Sequence, residues 1–296
     1  MNTPIGEEEF THQRKQKRHR KIYVISFLTV MSIIGIGTWI WEIKGGSYHF
    51  FVLILIGLGA SFLGTLAGGA GLITIPGMML TGIPIQTSIA TNKFSSGIAA
   101  FSSVFYLIRH KELSIRSIMS NLLVAFLGGM GGSLLTSHIH EKTMNIVAFL
   151  LLNLALIVTL INKKWTANIQ FDQQPLTYKM NLYIPLFVAA YDGGFGPGSS
   201  TFSIIYYMKN SHTYMKAVQM TRVLILGSCA GGFIVFFQTG FIIWSYAISM
   251  AIGSIIGSQI GLLLLPKIPQ KIAENLLLII ICLLIIQMNQ FHNCCF

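Results

Sequence analysis

The chain has 296 residues, 53% of them hydrophobic and only 10% charged, and a formal net charge of +11. This composition excludes an ordinary soluble domain and points to a polytopic membrane protein. The surplus charge does not describe a nucleic-acid surface: six of the twenty Lys and Arg lie together in RKQKRHRK at 14–21, with no basic amphipathic element or separate soluble domain beside them.

In chain order, the basic arm at 1–21 is expected on the cytoplasmic side, against anionic lipid. Residues 22–41, IYVISFLTVMSIIGIGTWIW, supply the roughly 20 apolar residues that cross about 30 Å of hydrocarbon. The run is too long for a signal-peptide core and ends without a small-residue cleavage site, so it predicts a transmembrane anchor. Residues 48–66 are apolar again, AGGAG at 67–71 interrupts the helix, and LITIPGMML resumes it. Spans are expected near 87–108, 117–138 and 143–162, followed by a polar cytoplasmic linker over 163–180. The same order then returns: an apolar lead at 181–190, YDGGFGPGSSTF at 191–202, spans near 213–238, 241–264 and 272–290, and a tail at 291–296.

A gapless shift of 129 residues makes the repetition explicit. It pairs Ala60 with Ala189, Gly64 with Gly193, Gly69 with Gly198, Gly128 with Gly257 and Gly132 with Gly261. It also lays Lys93 on Arg222 and Lys142 on Lys271, which is rare in a chain this poor in charge. The expected units are a first transporter repeat over 48–162 and a second over 181–290. The positive-inside rule decides how the Gly-rich segments run. If both turn back as re-entrant hairpins, sixteen Lys and Arg fall inside and two outside; if both cross, the split is eleven to seven. Hairpins give each copy three crossings, hence opposite orientations. The predicted fold is therefore an all-α polytopic membrane protein: two inverted repeats, each a re-entrant broken-helix hairpin plus three transmembrane helices, with one extra N-terminal helix.

Most ionisable side chains fall in loops or at span ends, and the exceptions are Lys93, Arg222 and Asp192. A charge at the centre of a span costs roughly 2.5–3.5 kcal/mol, so it usually faces a partner or a wet cavity. One reading has Lys93 snorkelling to the interface and Arg222 bridged to Asp192. The other has both cations converging on a shared centre, where two positive charges beside one acid suit an anion. The Gly-rich breaks favour the second: a helix restarting after GGAG or GFGPG presents unpaired N–H groups to an anion, and glycine lets a ligand approach closely. Ser199, Ser200 and Thr201 add hydroxyls at the second restart. The pairs Gly128/Gly132 and Gly257/Gly261 are assigned to helix packing. Cys229, Cys282, Cys294 and Cys295 have no metal-site or disulfide spacing, and no His/Asp/Glu/Cys cluster remains for a metal or for acid–base chemistry. No metal, cofactor or enzymatic activity is expected.

The segments GTLAGGAGLITIPGMMLTGIPIQTSIATNKFSSG and AAYDGGFGPGSSTFSIIYYM resemble the two halves of the TauE/SafE (sulfite exporter) family of membrane permeases, with similarity running from about residue 50 to 290. The resemblance implies an anion carrier driven by ion gradients, with members linked to export of sulfite, sulfoacetate and other organosulfur or small organic anions. This chain departs from the family pattern at Ala67 and Ala70, at Ser199 and Ser200, and at Thr221, Arg222, Ile225 and Cys229, where two amides are lost and the usual Lys is Arg. Together these readings predict an exporter of a small anion in the cell membrane, working by alternating access. Its substrate site comprises Asn92, Lys93 and Arg222 with Gly69, Gly71, Gly196, Gly198, Ser199, Ser200 and Thr201. Asp192 is either a proton-coupling residue or a salt-bridge partner. The alternatives are a proton- or cation-coupled uptake carrier using Asp192, and a non-transporting scaffold. Expected partners are the anionic substrate, the bilayer, protons as a coupling ion and a second copy in a homo-oligomer, with no nucleic acid.

Overall fold

The computed structural model describes residues 48–110, 115–140, 182–210 and 214–265, with isolated helical positions between 143 and 157 and between 272 and 279. The basic arm, the 22–41 helix, the 163–180 linker, the tail, the Lys142/Lys271 pair and most of the spans expected at 143–162 and 272–290 lie outside the described residues. Residues His49–Phe296 form one compact unit and Met1–Tyr48 another.

Eight helices follow one another among the described residues: α1 Tyr48–Ala67, α2 Gly71–Leu80, α3 Ile85–Arg109, α4 Ile115–Ser137, α5 Tyr183–Gly194, α6 Ser199–Lys209, α7 Tyr214–Thr239 and α8 Trp244–Leu264. The spans expected near 87–108, 117–138, 213–238 and 241–264 correspond to α3, α4, α7 and α8. The element starts carry the sequence repeat with them: Ile85 and Tyr214, and likewise Ile115 and Trp244, are 129 residues apart. His49–Leu66 of α1, Ile118–Ser137 of α4, α7 and α8 are long and apolar enough to cross a membrane.

Both Gly-rich segments fold back. Gly68 and Gly69 leave the helix with φ of +81°, a left-handed conformation that side-chain-bearing residues rarely adopt. The returning α2 then runs along α1: a Cβ on Gly64 would overlap Ala70, one on Gly77 would meet Ile56 at 3.2 Å, and His49 Nε2 lies 3.4 Å from the Thr81 carbonyl. In the second copy Gly198, with φ of +81°, caps α6. Tyr191 reaches back from α5, its hydroxyl donating to the Pro197 carbonyl at 2.7 Å and its ring meeting Phe202 at 5.8 Å.

Glycines set the close helix crossings. A Cβ on Gly128 would stand 2.5 Å from the Leu186 carbonyl oxygen, and one on Gly132 would collide with the Ala190 carbonyl, so α4 lies directly on the α5 backbone. Gly253 and Gly257 of α8 seat in the same way on the Ile54 and Leu58 carbonyls of α1, and Gly261 meets Phe62 and Thr65. Each copy's hairpin is thus clasped by a small-residue helix of the other copy, as expected where van der Waals packing rather than hydrophobicity holds helices together. Polarity on α3 is inverted relative to a soluble helix. Thr87, Ser88, Thr91, Asn92, Lys93, Ser95 and Ser103 are buried, while Phe101 and Phe105 are exposed. Polar groups are thereby turned inward and apolar ones outward, as lipid requires.

Candidate functional site

The two breaks meet each other. A Cβ on Gly68 would stand 3.1 Å from the Thr201 nitrogen and 3.3 Å from the Ser200 carbonyl carbon. One on Gly71 would stand 3.2 Å from Pro197 and 3.3 Å from Gly196. Glycine at these positions lets two backbones touch, and the hairpin tips form one centre. Asn92 of α3 ties it together: its Oδ1 accepts from Thr74 of α2 at 2.8 Å and from Ser96 at 3.0 Å, and its amide nitrogen lies toward Gly196.

Lys93 is fully buried and does not snorkel. Its Nζ donates to the Asp192 carbonyl oxygen at the end of α5 and stands 3.8 Å from Asp192 Oδ2. The expected alternative in which Arg222 bridges to Asp192 is therefore replaced by a Lys93–Asp192 pair. Two features allow it: Gly232 leaves room for the lysine stem on α7, and Gly196 leaves room for its head. Asp192 is itself the hub of a buried cluster. Its Oδ1 accepts from the Ser199 hydroxyl at 2.5 Å, and its Oδ2 accepts from the Ser228 hydroxyl and, at 3.7 Å, from the Cys229 thiol. The Ser199 hydroxyl, expected to face the substrate, is thus already donated to Asp192.

The helix restarts are less open than expected. Leu72 and Ile73 N–H groups donate to the Gly69 and Ala70 carbonyls, and Ser199 and Thr201 N–H groups donate to those of Gly196 and Gly198. Tight local turns take up these donors; Gly71 and Ser200 stand beside them at the helix starts. Each of these two sits at the contact with the opposite tip.

Residues 53–288 match the family described as Sulfite exporter TauE/SafE, which covers most of the chain. The chain belongs to this family. A relative from Haemophilus influenzae, named "Probable membrane transporter protein", is 32% identical over 213 residues, 71% of this chain and 82% of the relative. YfcA of Escherichia coli K12, with the same descriptive name, is 28% identical over 231 residues, 77% of this chain and 85% of that protein. YdhB of Bacillus subtilis, also so described, is 26% identical over 228 residues, covering 75% and 92%. No solved structure matches. The chain is a membrane transporter of the TauE/SafE family, and its relatives are named as transporters rather than enzymes.

Within this TauE/SafE core the second cation stands apart from the first. Arg222, on α7, is 5% exposed, and its Nε has no hydrogen-bond partner among the described residues. The Thr221 hydroxyl, next in sequence, and the Thr201 hydroxyl, in the first turn of α6, are likewise buried without partners among the described residues. Such orphans are rare in a folded interior, because an unmade buried hydrogen bond costs about 1–3 kcal/mol. The α7 helix is anchored to the first hairpin through Tyr214, whose hydroxyl donates to the Leu66 carbonyl at the end of α1. Ala100 and Cys229, equivalent positions of the two copies, pack against each other with Ile225. Ser228 and Cys229 had no assigned role in the sequence. Their signals in the sequence were a polar pair inside an apolar helix, six and seven residues past Arg222, and the departure from the family pattern at Cys229.

Proposed function

We propose that this TauE/SafE chain is a secondary transporter that exports a small anion, such as sulfite, sulfoacetate or another organosulfur or organic-acid anion. The anion binds where the two hairpin tips meet and crosses by movement of one repeat against the other. The observation that carries this reading is the charge balance of the buried centre. Asp192 is taken up by Lys93, while Arg222 is buried with an unpartnered Nε. A buried guanidinium with an unmade hydrogen bond at Nε is unfavourable in a low-dielectric interior, and an anion would offset that cost through charge-assisted hydrogen bonds. As neutral donors to the anion we assign Asn92 and the Thr201 and Thr221 hydroxyls, the two hydroxyls being buried without a partner among the described residues.

Asp192 serves this site as a positioning residue. Its carboxyl oxygens accept two hydroxyls and a thiol, and Oδ2 stands 3.8 Å from the Lys93 ammonium, contacts that fix the side chain in place. The reading is tested by thermal melting of the purified protein against sulfite, thiosulfate, sulfoacetate, taurine and simple carboxylates. A ligand bound only to the folded state raises the midpoint. Stabilisation by at least one anion class is expected. Stabilisation by cations alone would overturn the proposal.

A further inference from the structure

The 129-residue shift that equates Lys93 with Arg222 also equates the residues around them, and here the copies differ systematically. Asp192 corresponds to Leu63, Ser199 to Ala70, Ser228 to Ala99 and Cys229 to Ala100. The acid and all three side chains that donate to it therefore have apolar counterparts in the first copy. The same asymmetry appears in the hydrogen bonding: Lys93 is satisfied by the Asp192 carbonyl and carboxylate, whereas the Arg222 Nε is an orphan among the described residues.

From this we infer that the two equivalent cations have divided roles: the Lys93–Asp192 pair is a neutral lock on the second hairpin, Arg222 alone balances the substrate, and the site prefers a singly charged oxyanion over a doubly charged one. The inference rests on the anion-carrier reading and narrows it. With Lys93, Asp192 and Arg222 ionised, the centre holds one net positive charge. A monoanion closes that balance, but a dianion carries an uncompensated negative charge into a desolvated space, where unpaired charges are strongly disfavoured. Arginine suits the role: the edge bearing Nε presents two parallel N–H groups to two oxygens of one carboxylate or sulfonate, which a lysine ammonium does not. Hydrogen sulfite and monosulfonates are thus favoured over the sulfite dianion and over sulfoacetate, which carries two charges.

The test uses the full chain in detergent at matched ionic strength, titrated with methanesulfonate, acetate and sulfate and read by thermal melting. Methanesulfonate or acetate is expected to bind at least about tenfold more tightly than sulfate. Sulfate binding as tightly as the monoanions overturns the divided-role inference and leaves the anion-carrier reading standing; no anion binding at all overturns that reading itself. Two variants probe the division directly. Leu63→Asp places an acid in the first hairpin where the second has Asp192. It is expected to weaken methanesulfonate binding by at least about tenfold relative to Leu63→Asn. Lys93→Met leaves Asp192 unbalanced and is expected to lose binding, and the charge-balanced double variant Lys93→Met with Asp192→Asn is expected to recover it. A double variant as inactive as the single one would place Lys93 on the substrate and overturn the division. If Leu63→Asp does not fold, the wild-type anion series and the Lys93 pair still decide the matter.

Discussion

Gly196 meets two separate demands. Its φ of +105° is a conformation few side chains tolerate, and a Cβ there would stand 2.7 Å from Lys93 Nζ. Gly82 has a similar φ of +83° but open space around it, so it isolates the backbone demand. Gly82→Ala should cost about 1–2 kcal/mol, and Gly196→Ala should cost more, about 2–4 kcal/mol, because it also displaces the ammonium from Asp192. Thermal melting of the two variants measures the difference, and equal losses would mean that Lys93 is not held at Gly196. At Arg222, replacement by Gln removes a charged hydrogen-bond donor worth about 1.5–3 kcal/mol. Anion affinity should then fall by roughly 10- to 150-fold, with Arg222→Lys intermediate, as a titration would show. Of these residues, Lys93, Arg222 and Asp192 stood out in the sequence because charges are rare inside apolar runs. Their pairing did not. Lys93 and Asp192 are 99 positions apart, and the repeat makes Lys93 and Arg222 equivalent, so only the fold shows which cation the acid faces.

At the scale of the element, the helix breaks were legible because clustered glycines, joined by a proline in the second copy, disfavour a continuous helix through an otherwise apolar run. The structure places them at 68–70 and 195–198, as fold-backs. What remained hidden was how far each restart satisfies itself. The turns that occupy the Leu72, Ile73, Ser199 and Thr201 N–H groups depend on backbone angles that composition does not specify. The packing role of the paired glycines was also legible, and it yields a sharp contrast on a single helix. Gly132 lies against the Ala190 carbonyl, whereas a Cβ on Gly131 would meet nothing within 4 Å. Gly132→Leu should separate α4 from α5 and cost more than about 3 kcal/mol. Gly131→Leu, at a position open to its surroundings on the same helix, should change stability by less than about 0.5 kcal/mol. Monodispersity and melting point of the two proteins in detergent check the pair, and equal tolerance would contradict this crossing.

At the scale of the molecule, small-residue crossings, inward polarity on α3 and two touching hairpin tips build a buried polar core, and Arg222 is buried on α7 with its Nε unpartnered among the described residues. A transporter needs a centre that is incomplete without its cargo, since binding must then supply what the protein leaves open. The repeat provides two similar halves, and on the proposal above the divergence at Leu63 and Asp192 leaves Arg222 as the charge that the anion balances. The decisive measurement is flux of a labelled small anion, methanesulfonate or sulfite, into vesicles reconstituted with the wild-type chain or with Arg222→Gln. Saturable flux in the wild type that is lost in the variant is the predicted result. No anion flux, or flux that survives the loss of Arg222, would contradict it.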